Sequence, residues 1–171
     1  MAAKRYCQLP IEFSRLARQA FSPEFMARIM QVYGLFPELQ EKTIACGLLK
    51  KRGVVEGTAT GWTAPPVFRL QPNVSSYTIA HELTHLVQGN GSGIPHGEVA
   101  CDIWAVDRLP AELLDQRPYY LMKNSRCDWK KNRDAVKELC RRAIEIRKTR
   151  RTYIVWLRGQ IVKLERVSRA R

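Results

Sequence analysis

No run of apolar residues in this 171-residue chain approaches the roughly 18–20 that a membrane-spanning helix needs, so no membrane span is expected. The opening decapeptide, MAAKRYCQLP, lacks the apolar h-region of a secretory signal, so the expected compartment is the cytoplasm. Cysteine offers no framework: the five (Cys7, Cys46, Cys101, Cys127, Cys140) are odd in number, widely spaced and without a CxxC pair. Reduced thiols fit that pattern; a disulfide scaffold or a Cys-ligated zinc site does not. Residues 1–116 lack net charge, with 11 basic and 11 acidic side chains. Histidine is scarce throughout, and the only three lie between positions 81 and 96.

What is present is concentrated. Residues 117–171 carry 18 basic and 5 acidic side chains, so the whole formal excess of +13 belongs to the last third. Within it, Val136, Leu139, Cys140, Ala143, Ile144 and Ile146 recur at helical spacing, and Lys and Arg fill the positions between. KTRRTY (148–153) interrupts the pattern. Residues 154–164 resume it as a helix or a pair of strands punctuated by Gly159. Such a segment suits a solvated face docked through its apolar stripe. It also suits a nucleic-acid contact in which Lys and Arg neutralise phosphates while Tyr153 and Trp156 stack, although no recognised binding motif is present.

The histidines carry the chemistry. TIAHELTHLVQ (78–88) contains HExxH as His81, Glu82 and His85. On a helix, positions 81 and 85 lie one turn apart on one face, where two imidazoles can converge on a single metal ion. Glu82 is then placed to act as a general base on water. Ile79, Ala80, Leu83, Leu86 and Val87 form the apolar frame that buries the opposite side. GNGSG (89–93) ends this helix, and a second is expected from Glu98, with Val99, Ile103 and Val106 at helical spacing.

A catalytic zinc needs a third protein ligand and an open position. Two candidates present themselves, Glu98 in the first turn of the second helix and His96 just before it. Glu98 is followed four residues later by Asp102, which can orient a ligand histidine through its free ring nitrogen. HExxH followed by a helix with Glu and, four on, Asp resembles the gluzincin metallopeptidases, whose third ligand is that glutamate. WTAPPVFRL (62–70), GEVACD (97–102) and RPYYL (117–121) extend the resemblance to the minigluzincins, small single-domain members of that group, over roughly residues 40–122.

The resemblance implies a zinc-dependent peptidase acting on peptide or protein substrates, with Zn2+ held by His81, His85 and Glu98. Tyr119 or Tyr120 is implied as a stabiliser of the developing oxyanion. Latent forms are a feature of that family, so the basic segment could instead cover the cleft, with Cys127, beside Lys123 and Arg126, reaching the metal. The rival resemblance is to the SprT/Spartan type of zincin, which acts on proteins held on nucleic acid. There the third ligand is a histidine in an H-G step, and PHGE (95–98) offers His96. From a different class comes a basic nucleic-acid-binding protein whose zinc site is only structural.

The expected fold is α+β: a small zincin-like domain over residues 1–122, with a short sheet, a zinc helix and a glutamate helix, followed by a basic helical extension over 123–171. Residues 10–33 read as helical, with Ser22-Pro23-Glu24 as a start signal. KTIACGLLK (42–50) reads as a strand, KKRG (50–53) as a turn, and VVEGTATG as a second strand or a glycine-broken loop. Val67–Leu70 is expected as a strand that starts after Pro65-Pro66 or lies at the sheet edge; it is the candidate edge for pairing with an extended substrate, with a plain structural strand as the alternative. Trp62 reads as a core or a rim aromatic, with the core as the expectation.

Overall fold

The computed structural model describes residues 11–50, 54–91 and 93–169; the turn expected at 50–53 lies largely outside them. Among these residues the chain is α+β, with six α-helices and a four-stranded mixed sheet. The strands are β1 (Ile11–Phe13), β2 (Ile44–Leu48), β3 (Gly57–Thr60) and β4 (Val67–Leu70). Their order is β1-β2-β4-β3, with β3 antiparallel to β4 and the other pairs parallel.

Two expectations need correction here. The stretch 10–33 is not helical throughout. It opens as β1, whose Ile11 and Phe13 face inward while Glu12 faces out, a period of two too short to stand out from the helical signal behind it. The helices α1 (Arg15–Ala20) and α2 (Pro23–Tyr33) follow, each capped by a serine, Ser14 or Ser22. The second correction concerns the sheet edge. β4 is interior, flanked by β2 and β3, and its Phe68 and Leu70 are fully buried. The edge beside the histidine-bearing helix is β3, whose Gly-Thr-Ala-Thr sequence has no large apolar side chain to bury on either face.

The helix carrying the histidines, α3 (Ser76–Gly89), starts earlier than the apolar period suggests, because Ser75 caps it by accepting from the Thr78 N–H. The Asp115 carboxylate adds two further bonds at the same end, from the N–H groups of Ser76 (2.8 Å) and Tyr77 (3.1 Å). Four N–H groups at a helix start have no partner within the helix, and an anion there also complements the helix dipole. The glutamate helix, α4 (Glu98–Arg108), begins at the expected residue. Gly97 precedes it with φ at +106°, a conformation that strains any residue with a Cβ.

The basic third forms α5 (Trp129–Arg147) and α6 (Tyr153–Arg169). Both helices bury their apolar stripes: Val136, Leu139, Cys140 and Ala143 from α5, and Tyr153, Leu157 and Ile161 from α6, join the same core cluster as α2, α3 and the sheet. Lys137 on α5 donates to the carbonyls of Val106, Asp107 and Leu109, satisfying acceptors at the C-terminal end of α4. Two arginines tie the hairpin to loops around the histidines. Arg147 Nη2 bonds the Gly93 carbonyl (2.7 Å), and Arg158 Nη2 bonds the Tyr120 carbonyl (3.3 Å). No described helix is long and apolar enough to cross a membrane.

Candidate metal centre

Along α3, His81 and His85 fall one turn apart, and their ring centroids are separated by 4.8 Å. The first residue of α4 completes the arrangement. Glu98 Oε2 lies 3.0 Å from Nε2 of His81 and 3.3 Å from Nε2 of His85, so one carboxylate oxygen meets both rings at the nitrogens that face each other. Hydrogen bonding to His81 holds the Glu98 carboxyl below the usual carboxylate range, against the opposing effect of burial. Burial alone would disfavour a charged His81 ring, but the carboxylates of Asp102 and Glu98 outweigh it and carry the imidazole up to about 9. The point where these groups meet thus favours positive charge, and a divalent cation can take the place of that proton.

Each histidine is also held from behind. Asp102, fully buried, brings Oδ1 to 2.9 Å from His81 Nδ1. That carboxylate thus faces the His81 ring nitrogen turned away from Glu98. The same carboxylate accepts from the Tyr77 hydroxyl through Oδ1 and from the Leu121 N–H (2.7 Å) through Oδ2. Behind His85 stands Gln88, with Oε1 3.0 Å from Nδ1. Because the Gln88 amide nitrogen donates to the Pro95 carbonyl (2.5 Å), its oxygen must face the ring. This lets His85 Nδ1 donate to Gln88 and holds the ring with Nε2 turned toward Glu98, the orientation a metal ligand needs.

Cys101 lies against the same histidine, its Sγ 3.1 Å from His85 Nδ1 and 3.2 Å from Gln88 Oε1. His81, His85 and Cys101 bring ligand atoms within 4.8 Å of one another, a group that could hold a metal ion. The thiol faces the ring nitrogen that Gln88 also engages, whereas Glu98 faces Nε2 of both rings. Burial pushes the Cys101 thiol strongly toward its protonated form. Gln88 and Cys101 are absent from the sequence-based expectations. Gln88 was reachable by spacing, three residues after His85 on one helix face; Cys101 needed the packing of α4 on α3.

Glu82 is buried, and its environment differs from that of Glu98. Burial pushes its carboxyl up to about 7, with His81 opposing and the charge of Glu98 adding to the rise. Two carboxylates with diverging proton affinities suit different roles at one centre. The chain makes room for Glu82 by placing a glycine over it. A Cβ at Gly57 in β3 would stand 2.6 Å from Glu82 Cγ and 2.7 Å from Oε1, so a larger residue there would have to displace that side chain.

The remaining expected residues divide. The Tyr120 ring lies nearly parallel to that of His81 with centroids 6.0 Å apart, while Tyr119 packs edge-on against Tyr120 and is 59% exposed. His96 is exposed in the loop before α4, with no hydrogen bond or ion pair to the histidine group among the described residues. Cys127 is buried ahead of α5, its thiol raised by burial, and does not belong to the group that could hold a metal. Trp62 is 83% exposed in the turn after β3, a rim residue rather than the core residue expected. Compared with protein-family models, with curated proteins and with solved structures, the chain matches none.

Proposed function

We propose that this chain is a zinc-dependent metallopeptidase of the gluzincin type, with His81, His85 and Glu98 as the protein ligands and Glu82 as general base. One observation carries the reading: a single Glu98 oxygen sits within 3.3 Å of the Nε2 atoms of both histidines of an HExxH helix. Two imidazoles and a carboxylate are a donor set suited to a catalytic zinc with one position left open. When bound, such an ion supplies a Lewis acid that makes water nucleophilic at neutral pH and polarises a carbonyl.

The chain's own residues do the rest. Glu82 takes the proton from the attacking water and returns it to the leaving amine nitrogen. Asp102 and Gln88 hold the two rings in orientation from behind. Tyr120 presents a hydroxyl-bearing ring beside His81, where it can donate to the oxygen that gains charge. A peptide laid along the free edge of β3 would pair by strand addition over the small face of Gly57 and Ala59, with Trp62 at the rim.

The direct test is hydrolysis of an unfolded protein substrate by the full chain supplied with zinc. Activity should vanish with a zinc chelator and return when zinc is restored; turnover that ignores the chelator sinks the reading. A sharper test uses Gly57→Ala. Displacing Glu82 by about 1 Å should cost on the order of 100-fold in turnover, with metal content unchanged. Unaltered turnover would mean that the Glu82 side chain accommodates the added Cβ and that Gly57 does not position it.

A further inference from the structure

We infer that the groove between α6 and the 121–125 loop binds an acidic peptide segment carrying an apolar side chain, and serves the substrate as an exosite. The identification of the bound segment as substrate rests on the metallopeptidase reading. The groove encloses about 240 Å³. Leu121, Ile161 and Val162 give it an apolar wall, and Lys123, Asn124, Ser125 and Arg158 complete the lining. Leu121 and Ile161 are buried, whereas Val162 is 42% exposed, so the apolar wall opens to solvent.

The surrounding charge is mainly positive. Lys123, Arg126, Arg158, Lys163 and Arg166 are all exposed. Ion pairs elsewhere on the extension join Lys131 to Asp128, Arg133 to Asp134, Arg141 to Asp107 and Glu138, and Lys148 to Glu145. The acid nearby, Glu165, is turned toward the loop, where Oε1 accepts from Ser125 Oγ (2.5 Å) and the Arg126 N–H (2.9 Å). Positions 158, 162 and 166 are four apart on α6, so cation, valine and cation follow one another along one face.

This pattern favours a peptide over the other polyanions. Single-stranded nucleic acid needs aromatic platforms as well as cations. The exposed large apolar residues of α6 are Val155, Val162 and Val167, while Tyr153 is buried and Trp156 is half-buried with Arg142 over its ring. An anionic membrane surface is met by a convex face with Trp, Phe or Leu, not by a cavity. A concave apolar slot ringed by cations instead fits one apolar side chain flanked by Asp and Glu. Arg158 also joins the groove to the candidate centre, since it bonds the carbonyl of Tyr120, whose ring lies over His81. A segment held there enters the cleft past Tyr120.

The test is equilibrium binding by fluorescence anisotropy to the full-length Glu82→Gln chain, which keeps hydrolysis out of the measurement. The probe is a short fluorescein-labelled peptide with Leu-Phe between runs of Asp and Glu. The comparisons are the same peptide with Lys for the acids, the same with Gly for Leu-Phe, and a short single-stranded oligonucleotide. The acidic Leu-Phe peptide should bind about tenfold more tightly than either altered peptide. Arg158→Ala with Lys123→Ala should erase about tenfold of that affinity, and Val162→Trp, which fills the slot, should do the same without lowering the melting temperature. Equal binding of the three peptides overturns the inference. So does an oligonucleotide that binds more tightly and loses affinity in the same variants. Selective peptide binding by a wild-type chain that hydrolyses nothing would leave the groove assigned and sink the peptidase reading; hydrolysis without this selectivity would do the reverse.

Discussion

Glu82→Gln is expected to fold as the parent does, hold the same amount of metal, and lose about 10²- to 10⁴-fold in turnover. The substitution keeps the volume and hydrogen-bonding shape of a buried side chain packed beneath Gly57. It removes only the capacity to accept and return a proton. The three atoms proposed to hold the metal belong to His81, His85 and Glu98, none of which is altered. Metal content and activity should therefore separate in this variant. Single-turnover assays beside elemental analysis would show the separation; a Glu82→Gln chain that hydrolyses at the parent rate would leave the mechanism without its base.

Asp102→Ala should do damage of a different kind. Its carboxylate is fully buried and serves three partners at once, the His81 ring, the Tyr77 hydroxyl and the Leu121 N–H. Truncation leaves two buried donors unsatisfied and a void beside them, at a cost of about 2–4 kcal/mol in unfolding free energy. It also frees the His81 ring to turn, and loss of such an outer partner typically weakens a metal by about 10- to 100-fold. Denaturant unfolding and competitive zinc titration read the two effects independently. Asp102→Asn, which keeps the volume and one acceptor, should recover more stability than metal affinity. Equal recovery of both would mean that Asp102 acts on the metal only through the fold.

How much of this could be read in advance follows from the range of each interaction. His81, Glu82 and His85 are related by helical spacing, and so are Glu98 and Asp102, so each set declares its face without tertiary information. The approach of Glu98 to both rings also depends on how α4 packs on α3, and the short GNGSG connection brings the two helices together. Contacts between distant elements were hidden. Nothing local marks Gly57 as the residue that leaves space for Glu82, or Asp115 as an anion at the start of α3. Edge position in a sheet is a property of partners, so Val67–Leu70, flanked on both sides, could be mistaken for the edge that Gly57–Thr60 occupies. Three residues of strand in β1 were too few to compete with the helical pattern behind them.

The central claim is that Glu98, not His96, completes a metal site on the HExxH helix. Zinc content per chain, measured by elemental analysis for the parent, Glu98→Ala and His96→Ala, tests it most directly. The account predicts about one zinc in the parent, the same in His96→Ala, and little or none in a folded Glu98→Ala chain, as a site reduced from three protein ligands to two requires. Zinc retained by Glu98→Ala and lost by His96→Ala would contradict it and move the third ligand to the H-G step, with the SprT-like reading behind it.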